Sequence, residues 1–529
     1  METQDTSRRL SGVLLHPTCL PGTPGIGTVG KQAYRFVDML KAARQSLWQI
    51  LPLGPTGYGD SPYASFSTFA GNPLLIDIDM LAERGWTGAV DTAPPDYIHI
   101  EGNVDFGAVV WWKLPLLRSI AASFLKTASA DDMRLYRDFM HDHDLFWLDD
   151  YALFMSIKDV YDEQARKEGV SGARWNNYWP KELAAHDSQA LESWRAAHTA
   201  EIDAYKVIQF FFFTQWAALK NYANENGVCI IGDIPIFVAP DSADVWSHQP
   251  LFQLDENGQP SAVAGVPPDY FSATGQLWGN PLYDWDAMRK TNYMWWIDRI
   301  RHVLSLVDYV RIDHFRGFEA YWSVPAGEDT AVNGRWEPGP KHALFNSIKD
   351  ALGDIPIIAE DLGLITDGVR ELRDDFEFPG MKILQFAFDM NEAGQDGMTN
   401  LFLPHMYVPN CVVYTGTHDN QTMQGWLDRA CDEEIALISE YIGGPGALFP
   451  RRELCRRLVQ TALASCARFA VIPLQDLFGI GDEGRINTPS TSDGKNWIWR
   501  MESGMLDCAE QIQWLRRVSE LYGRNLSQK

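Results

Sequence analysis

The 529-residue sequence predicts a (β/α)8 TIM barrel, and three observations predict it. Eight short apolar runs recur along the chain, each ending in polar residues. The runs are continuously apolar rather than alternating, which is how strands buried on both faces read. Amphipathic helical patterns separate them, and strands alternating with helices imply a parallel sheet built from right-handed crossovers.

The runs are, in order, "GVLLH" at 12–16, "LWQILPL" at 47–53, "VCIIGD" at 228–233, "DYVRID" at 308–313, "IPIIAED" at 355–361, "KILQFAF" at 382–388, "CVVYTGTHD" at 411–419 and "FAVIPLQD" at 469–476. Ala33, Phe36, Val37 and Leu40 fall at i, i+3, i+4 and i+7, one apolar helical stripe after the first run. Leu344, Ile348 and Leu352 form another before the fifth. Residues 1–529 are therefore read as a single barrel with insertions. Runs two and three are far apart, and 54–205 is read as an inserted, largely helical subdomain after strand two. It contains stretches such as "DLFWLDDYALFMSIKDVY". A second insertion, 238–290, is rich in Pro, Gly and aromatics and is read as a loop region forming a lid. Insertions after strands wall in the C-terminal face of a barrel, where such folds carry their chemistry.

Composition narrows the function classes. A hydrophobic share of 46% permits a large core, while a net charge of −25 argues against nucleic acid and anionic membrane as partners. Seven cysteines without a CxxC pair or a His–Cys cluster read as reduced thiols, with no metal site and a cytoplasmic location. The N-terminal stretch has only the apolar run Val13–Leu15, so no signal peptide is expected. The segment "VIQFFFFTQWAAL" is broken by Gln209 and Gln215 and is too short to span a bilayer. Twenty tryptophans read first as core packing; the sharper reading of some is stacking on sugar rings.

Three runs deliver a carboxylate at their C-terminal ends: Asp313, Glu360 and Asp419. Asp233 and Asp476 end two others. Any one of these reads equally as a helix cap, but a barrel brings strands four, five and seven around one mouth. Cleaving a glycosidic bond with retention needs a carboxylate nucleophile and a carboxylic acid flanking the bond. Arg311 precedes Asp313 by two residues, so both lie on one face of a strand, where a guanidinium favours an ionised carboxylate. Glu360 follows the apolar "IPIIA", a setting that favours the protonated acid. His314 and His418 flank the carboxylates and are candidates for holding hydroxyls. GxSxG, Walker A and HExxH patterns are absent. "GIGTVG" at 25–30 has no strand feeding it and is set aside.

Around these residues the sequence resembles the 4-α-glucanotransferases of glycoside hydrolase family 77 (amylomaltase or disproportionating enzyme), in the α-amylase clan. "LPLGPTGYGDSPYASFSTFAGNPLLI" at 51–76, "GDIPIFVAPDSADVW" at 232–246 and "GVPPDYFSATGQLWGNPLYDW" at 265–285 carry the resemblance. So do "VRIDHFRGF" at 310–318, "IIAEDLG" at 357–363, "GTHDNQT" at 416–422 and "EGRINTPST" at 483–491. The resemblance implies Asp313 as nucleophile, Glu360 as general acid/base and Asp419 as the carboxylate that stabilises an oxocarbenium-like transition state. It implies substrate contacts at Arg311, His314, His418, Asp233, Ser61, Tyr63, Asp269, Tyr270, Phe271, Trp278 and Asn280. "GVPPDYFSATGQLWG" matches that family's mobile loop over the cleft. No cofactor and no metal are implied. The expected partners are α-1,4-glucans and glucose. An α-glucan hydrolase is the alternative enzyme, and a non-catalytic maltodextrin-binding protein the alternative from another class.

Overall fold

The computed structural model describes residues 8–268, 272–389, 400–491 and 494–525. Eight parallel strands form one sheet: β1 (Leu10–Leu14), β2 (Leu47–Gln49), β3 (Cys229–Pro235), β4 (Tyr309–Asp313), β5 (Ile357–Ala359), β6 (Gly380–Ile383), β7 (Cys411–Tyr414) and β8 (Phe469–Pro473). They are ordered β6-β7-β8-β1-β2-β3-β4-β5, so sequence neighbours are neighbours in space. The Ala359 N–H donates to Pro379 O at 3.0 Å just before β6, drawing the two ends of the sheet together into a near-closed barrel.

Each expected run overlaps a strand. In the sixth, "KILQFAF", the strand ends at Ile383, whose register partner Tyr414 is the last residue of β7. Beyond it the chain turns into a single 3-10 turn, Gln385–Ala387.

Period-two alternation explains why the runs look uniformly apolar. Leu14, Leu47, Ile231, Ile358, Met381, Ile383, Val412, Tyr414, Phe469 and Val471 form one buried cluster inside the barrel. Their sequence neighbours, such as Val13, Trp48, Ile230, Ala359, Val413 and Ala470, join the larger core between barrel and helices. Followed toward the strand ends, the inward series turns polar: Ile231 is followed two residues on by Asp233, Tyr309 by Arg311 and Asp313, and Ile358 by Glu360. The site is thus the polar end of the barrel's own interior.

Between β2 and β3 lie four long helices, Phe106–Thr127, Ala130–His143, Asp149–Glu168 and Thr199–Glu225. Phe106–Thr127 is long and apolar enough to cross a membrane by length and composition alone. It also carries Pro115 and the buried Lys113, whose Nζ donates to Leu74 O at 2.7 Å. "VIQFFFFTQWAAL" lies in the last of the four helices, and its two glutamines are buried. Gln209 exchanges two hydrogen bonds with the backbone of Gly71 (2.8 and 2.9 Å), and Gln215 two with that of Asp77 (both 2.8 Å). The polar breaks in that greasy run pin the 71–77 segment to this helix.

The 238–290 stretch, read from sequence as loop, supplies two strands, Ala262–Val266 and Gln276–Pro281. Together with Ala320–Pro325 and Arg335–Pro338 they make a separate four-stranded antiparallel sheet. The strands are short and interrupted by Gly265 and Gly279, which hides the alternation in the sequence.

Arg299 fastens the loops on this side of the barrel. Buried at 1% exposure, it donates to Pro235 O (2.6 Å), Ile236 O (3.1 Å) and Thr68 Oγ1 (2.8 Å) and lies 4.7 Å over the Trp296 ring. Arg299→Met keeps the bulk but removes this donor from Pro235 O and Thr68 Oγ1 and leaves Ile236 O to the Tyr283 hydroxyl alone, so unfolding stability should fall by about 2 kcal/mol. Chemical denaturation measures this, and a loss under about 1 kcal/mol would contradict the assignment.

Candidate active site

Arg311 is the centre of the polar end. Its side chain is 4% exposed, with Nη1 2.6 Å from Asp233 Oδ2 and Nη2 2.8 Å from Asp313 Oδ1. Its Nε approaches Met381 Sδ at 3.4 Å, so three barrel strands meet on one guanidinium. Tyr63, delivered by the loop after β2, donates from Oη to the same Asp233 Oδ2 at 2.8 Å. The other oxygen, Asp233 Oδ1, is buried and unpaired among the described residues. Burial, reinforced by the nearby charge of Asp313, raises the Asp233 carboxyl to about 6 against the pull of Arg311.

Glu360 follows directly on β5. Its Oε2 accepts the His314 N–H at 2.7 Å and its Oε1 the Leu362 N–H at 2.9 Å, so backbone fixes both oxygens. Burial first, then repulsion by Asp313, raises its carboxyl to about 8; Arg311 and the two N–H groups only partly offset this. Asp313 and Glu360 therefore sit side by side in unequal surroundings, one ion-paired and one pushed toward the neutral acid.

His314 takes a left-handed backbone conformation with φ of 54°, which turns the chain sharply at the end of β4. Its Nε2 is buried and without a partner among the described residues, and burial lowers the imidazole to about 4. The Trp278 ring meets His314 edge-on, with centroids 4.8 Å apart. Asn280, two residues on, donates from Nδ2 to Val238 O at 2.8 Å and ties the small sheet to the loop after β3. Ser61 Oγ accepts the Tyr63 N–H at 3.2 Å. Asp269, Tyr270 and Phe271 lie outside the described residues.

Across the mouth, the loop after β7 presents His418 and Asp419. Asp419 Oδ1 accepts from Asn487 Nδ2 at 2.6 Å, and Oδ2 lies 3.3 Å from His418 Nε2. Tyr63 stacks on His418 (centroids 5.2 Å apart, 17° between planes), and Trp497 packs against both rings at 5.9 Å. Asp476 stands apart from this group. It is buried, accepting the Met423 N–H at 2.7 Å and the Thr415 hydroxyl, and so braces the β7 loop from behind.

Sequence reasoning missed Asn487, Arg485, Trp497, Gln49 and His16. Asn487 and Arg485 lie inside the quoted "EGRINTPST", but nothing in the spacing says what they reach. Gln49 Oε1 accepts from the Tyr414 hydroxyl at 2.8 Å at the base of the site. His16, buried and driven down to about 3, accepts the Leu51 N–H at 3.3 Å. Among the described residues no group of three His, Cys, Asp or Glu is arranged to hold a metal ion.

A parallel barrel with a carboxylate ion-paired to arginine, a second carboxyl held near neutrality and a third at the opposite rim is an arrangement suited to acetal chemistry at a glycosidic bond. Comparison with known proteins agrees. The 4-alpha-glucanotransferase family model, glycoside hydrolase family 77, matches residues 15–506, and the chain belongs to that family. It is 47% identical over 501 residues to a 4-alpha-glucanotransferase of Thermus thermophilus, covering 94% of this chain and 96% of that one. It is 44% identical over 528 residues to a 4-alpha-glucanotransferase of Synechocystis sp., covering 98% and 99%. The amylomaltase of Streptococcus agalactiae, solved in complex with acarbose, superposes with a TM-score of 0.90 at 38% identity, over 98% of this chain and 100% of that one.

The unequal carboxyls can be measured directly. In a sample labelled at the glutamate carboxyl carbons, one signal should titrate near pH 8 and vanish in Glu360→Gln. Titration of every glutamate below about pH 6 would contradict the burial described for Glu360.

Proposed function

We infer that this chain is a 4-α-glucanotransferase that moves an α-1,4-glucan segment from one glucan to the 4-hydroxyl of another, or of glucose, by retaining double displacement. The observation that carries the reading is the pairing of Asp313, on Arg311, with Glu360 held at about 8. Asp313 attacks the anomeric carbon as the bond to the leaving oxygen breaks, and Glu360 gives that oxygen its proton. The acceptor hydroxyl then attacks the glycosyl-enzyme, passes its proton to Glu360 and releases Asp313. Asp419 faces the sugar from the opposite rim and supports the positive charge that develops on the ring. His314 and His418 are the candidates for hydrogen bonds to donor hydroxyls. A cytoplasmic location is proposed as well; all seven cysteines being free thiols supports it, and cell fractionation tests it.

Maltotriose separates the readings. A transferase converts it into a ladder of longer and shorter products, a hydrolase gives shorter products alone, and a binding protein leaves it unchanged. Asp313→Asn should lower transfer by about three orders of magnitude or more with the thermal transition preserved. Transfer within tenfold of the parent would refute the nucleophile.

Transfer also requires the intermediate to be shielded from water, which at roughly 55 M outnumbers a millimolar acceptor by about 10⁴. The proposed shield is the loop "GVPPDYFSATGQLWG". Trp278 at its end is 37% exposed and held edge-on against His314. Trp278→Ala should raise the ratio of hydrolysis to transfer several-fold while maltotriose cleavage persists. An unchanged ratio would remove this residue from the shield.

A further inference from the structure

The motif "EGRINTPST" has no place in the chemistry above, yet it converges on the His418–Asp419 pair. Asn487 Nδ2 donates to Asp419 Oδ1 at 2.6 Å. The Asn487 N–H donates to His418 O at 3.0 Å, and Arg485 Nη2 to Asp419 O at 2.8 Å. Arg485 Nε also donates to Asn487 O at 2.7 Å, so the two residues brace one another. Both carbonyls of the His418–Asp419 pair and one carboxylate oxygen are therefore held by this segment.

The segment is itself anchored on two sides. Asp482 Oδ2 accepts from Gln421 Nε2 (3.0 Å) and Arg429 Nη2 (2.6 Å), while Gln475 Nε2 donates to Gly484 O at 2.9 Å. On the far side the Trp497 N–H donates to Ile486 O at 2.7 Å, and its ring rests on His418 and Tyr63.

Such a brace has a physical purpose. The Asp419 side chain is 41% exposed on a short loop, and among the described residues its other close polar neighbour is the ring of His418, at 3.3 Å from Oδ2. An exposed carboxylate samples several rotamers unless something fixes it. Stabilising a charge that appears only in the transition state requires a group already oriented for it. We propose that Asn487 and Arg485 are positioning residues that hold the Asp419 carboxylate in its working rotamer, Asn487 through the carboxylate and Arg485 through the backbone. This rests on the role given to Asp419 above.

The test measures maltotriose transfer by Asn487→Ala, Asn487→Asp, Asp419→Asn and the double variant Asn487→Ala/Asp419→Asn. Asn487→Asp keeps the shape of the side chain but replaces the donor with a like charge, so it stays informative if the alanine variant folds poorly. Both Asn487 variants should lose kcat by about 30-fold or more, the scale of a misplaced catalytic group, with KM changed less than about threefold and the thermal transition near that of the parent. The alanine change should cost under about threefold more once Asp419 is already asparagine, because it acts through that carboxylate. Full activity in Asn487→Asp, a loss confined to stability, or an undiminished effect in the double variant would each overturn the inference. If Asp419→Asn itself stays active, the role given to Asp419 fails instead.

Discussion

A buried guanidinium must be paired, and Arg311 is paired twice. Moving a charge into the end of a barrel is costly unless opposite charges meet it with good geometry. Asp233 and Asp313 do so at 2.6 and 2.8 Å from neighbouring strands in parallel register, where Asp233 stands opposite Arg311. This ion-paired cluster fixes much of its surroundings. Asp233 recruits Tyr63 from the loop after β2, and Tyr63 in turn stacks on His418 at the far rim. One cation thereby links the ends of β3, β4 and β7.

The same cluster separates the carboxyls by environment. Glu360 shares the space with Asp313 but among the described residues has no direct ion pair, and it is half-buried against backbone donors, so its proton stays on to about 8. In the proposed mechanism that difference assigns the roles, since one group has to attack as an anion and the other has to deliver a proton. The fold supplies it without special devices. Both residues continue the inward-facing series of adjacent strands, Glu360 after Ile358 and Asp313 after Tyr309 and Arg311.

How much of this the sequence discloses depends on the range of the interaction. The eight strands are legible because residues inside and outside the barrel are both apolar, giving continuous runs, two of which deliver Asp313 and Glu360 at their ends. The Arg311–Asp313 pairing is legible as well, because two residues on one strand face share a neighbourhood. Contacts between distant segments are not. Nothing local to Asn487 announces Asp419, 68 positions earlier, and nothing in "VIQFFFFTQWAAL" says that Gln209 and Gln215 reach Gly71 and Asp77 across 138 positions. The small antiparallel sheet escaped notice for a related reason. Its strands are short, interrupted by glycine, and paired with partners beyond β4.

In double displacement Asp313, seated on Arg311, becomes covalently bonded to the sugar. Mass spectrometry of the Glu360→Gln variant, quenched while it reacts with an α-maltotriosyl fluoride, tests this most directly. That donor leaves without acid assistance, while the acid/base defect slows release of the intermediate. A maltotriosyl mass is expected on the peptide containing residues 310–318, attached at Asp313. Fluoride release with no adduct, or an adduct on any other residue, would contradict it.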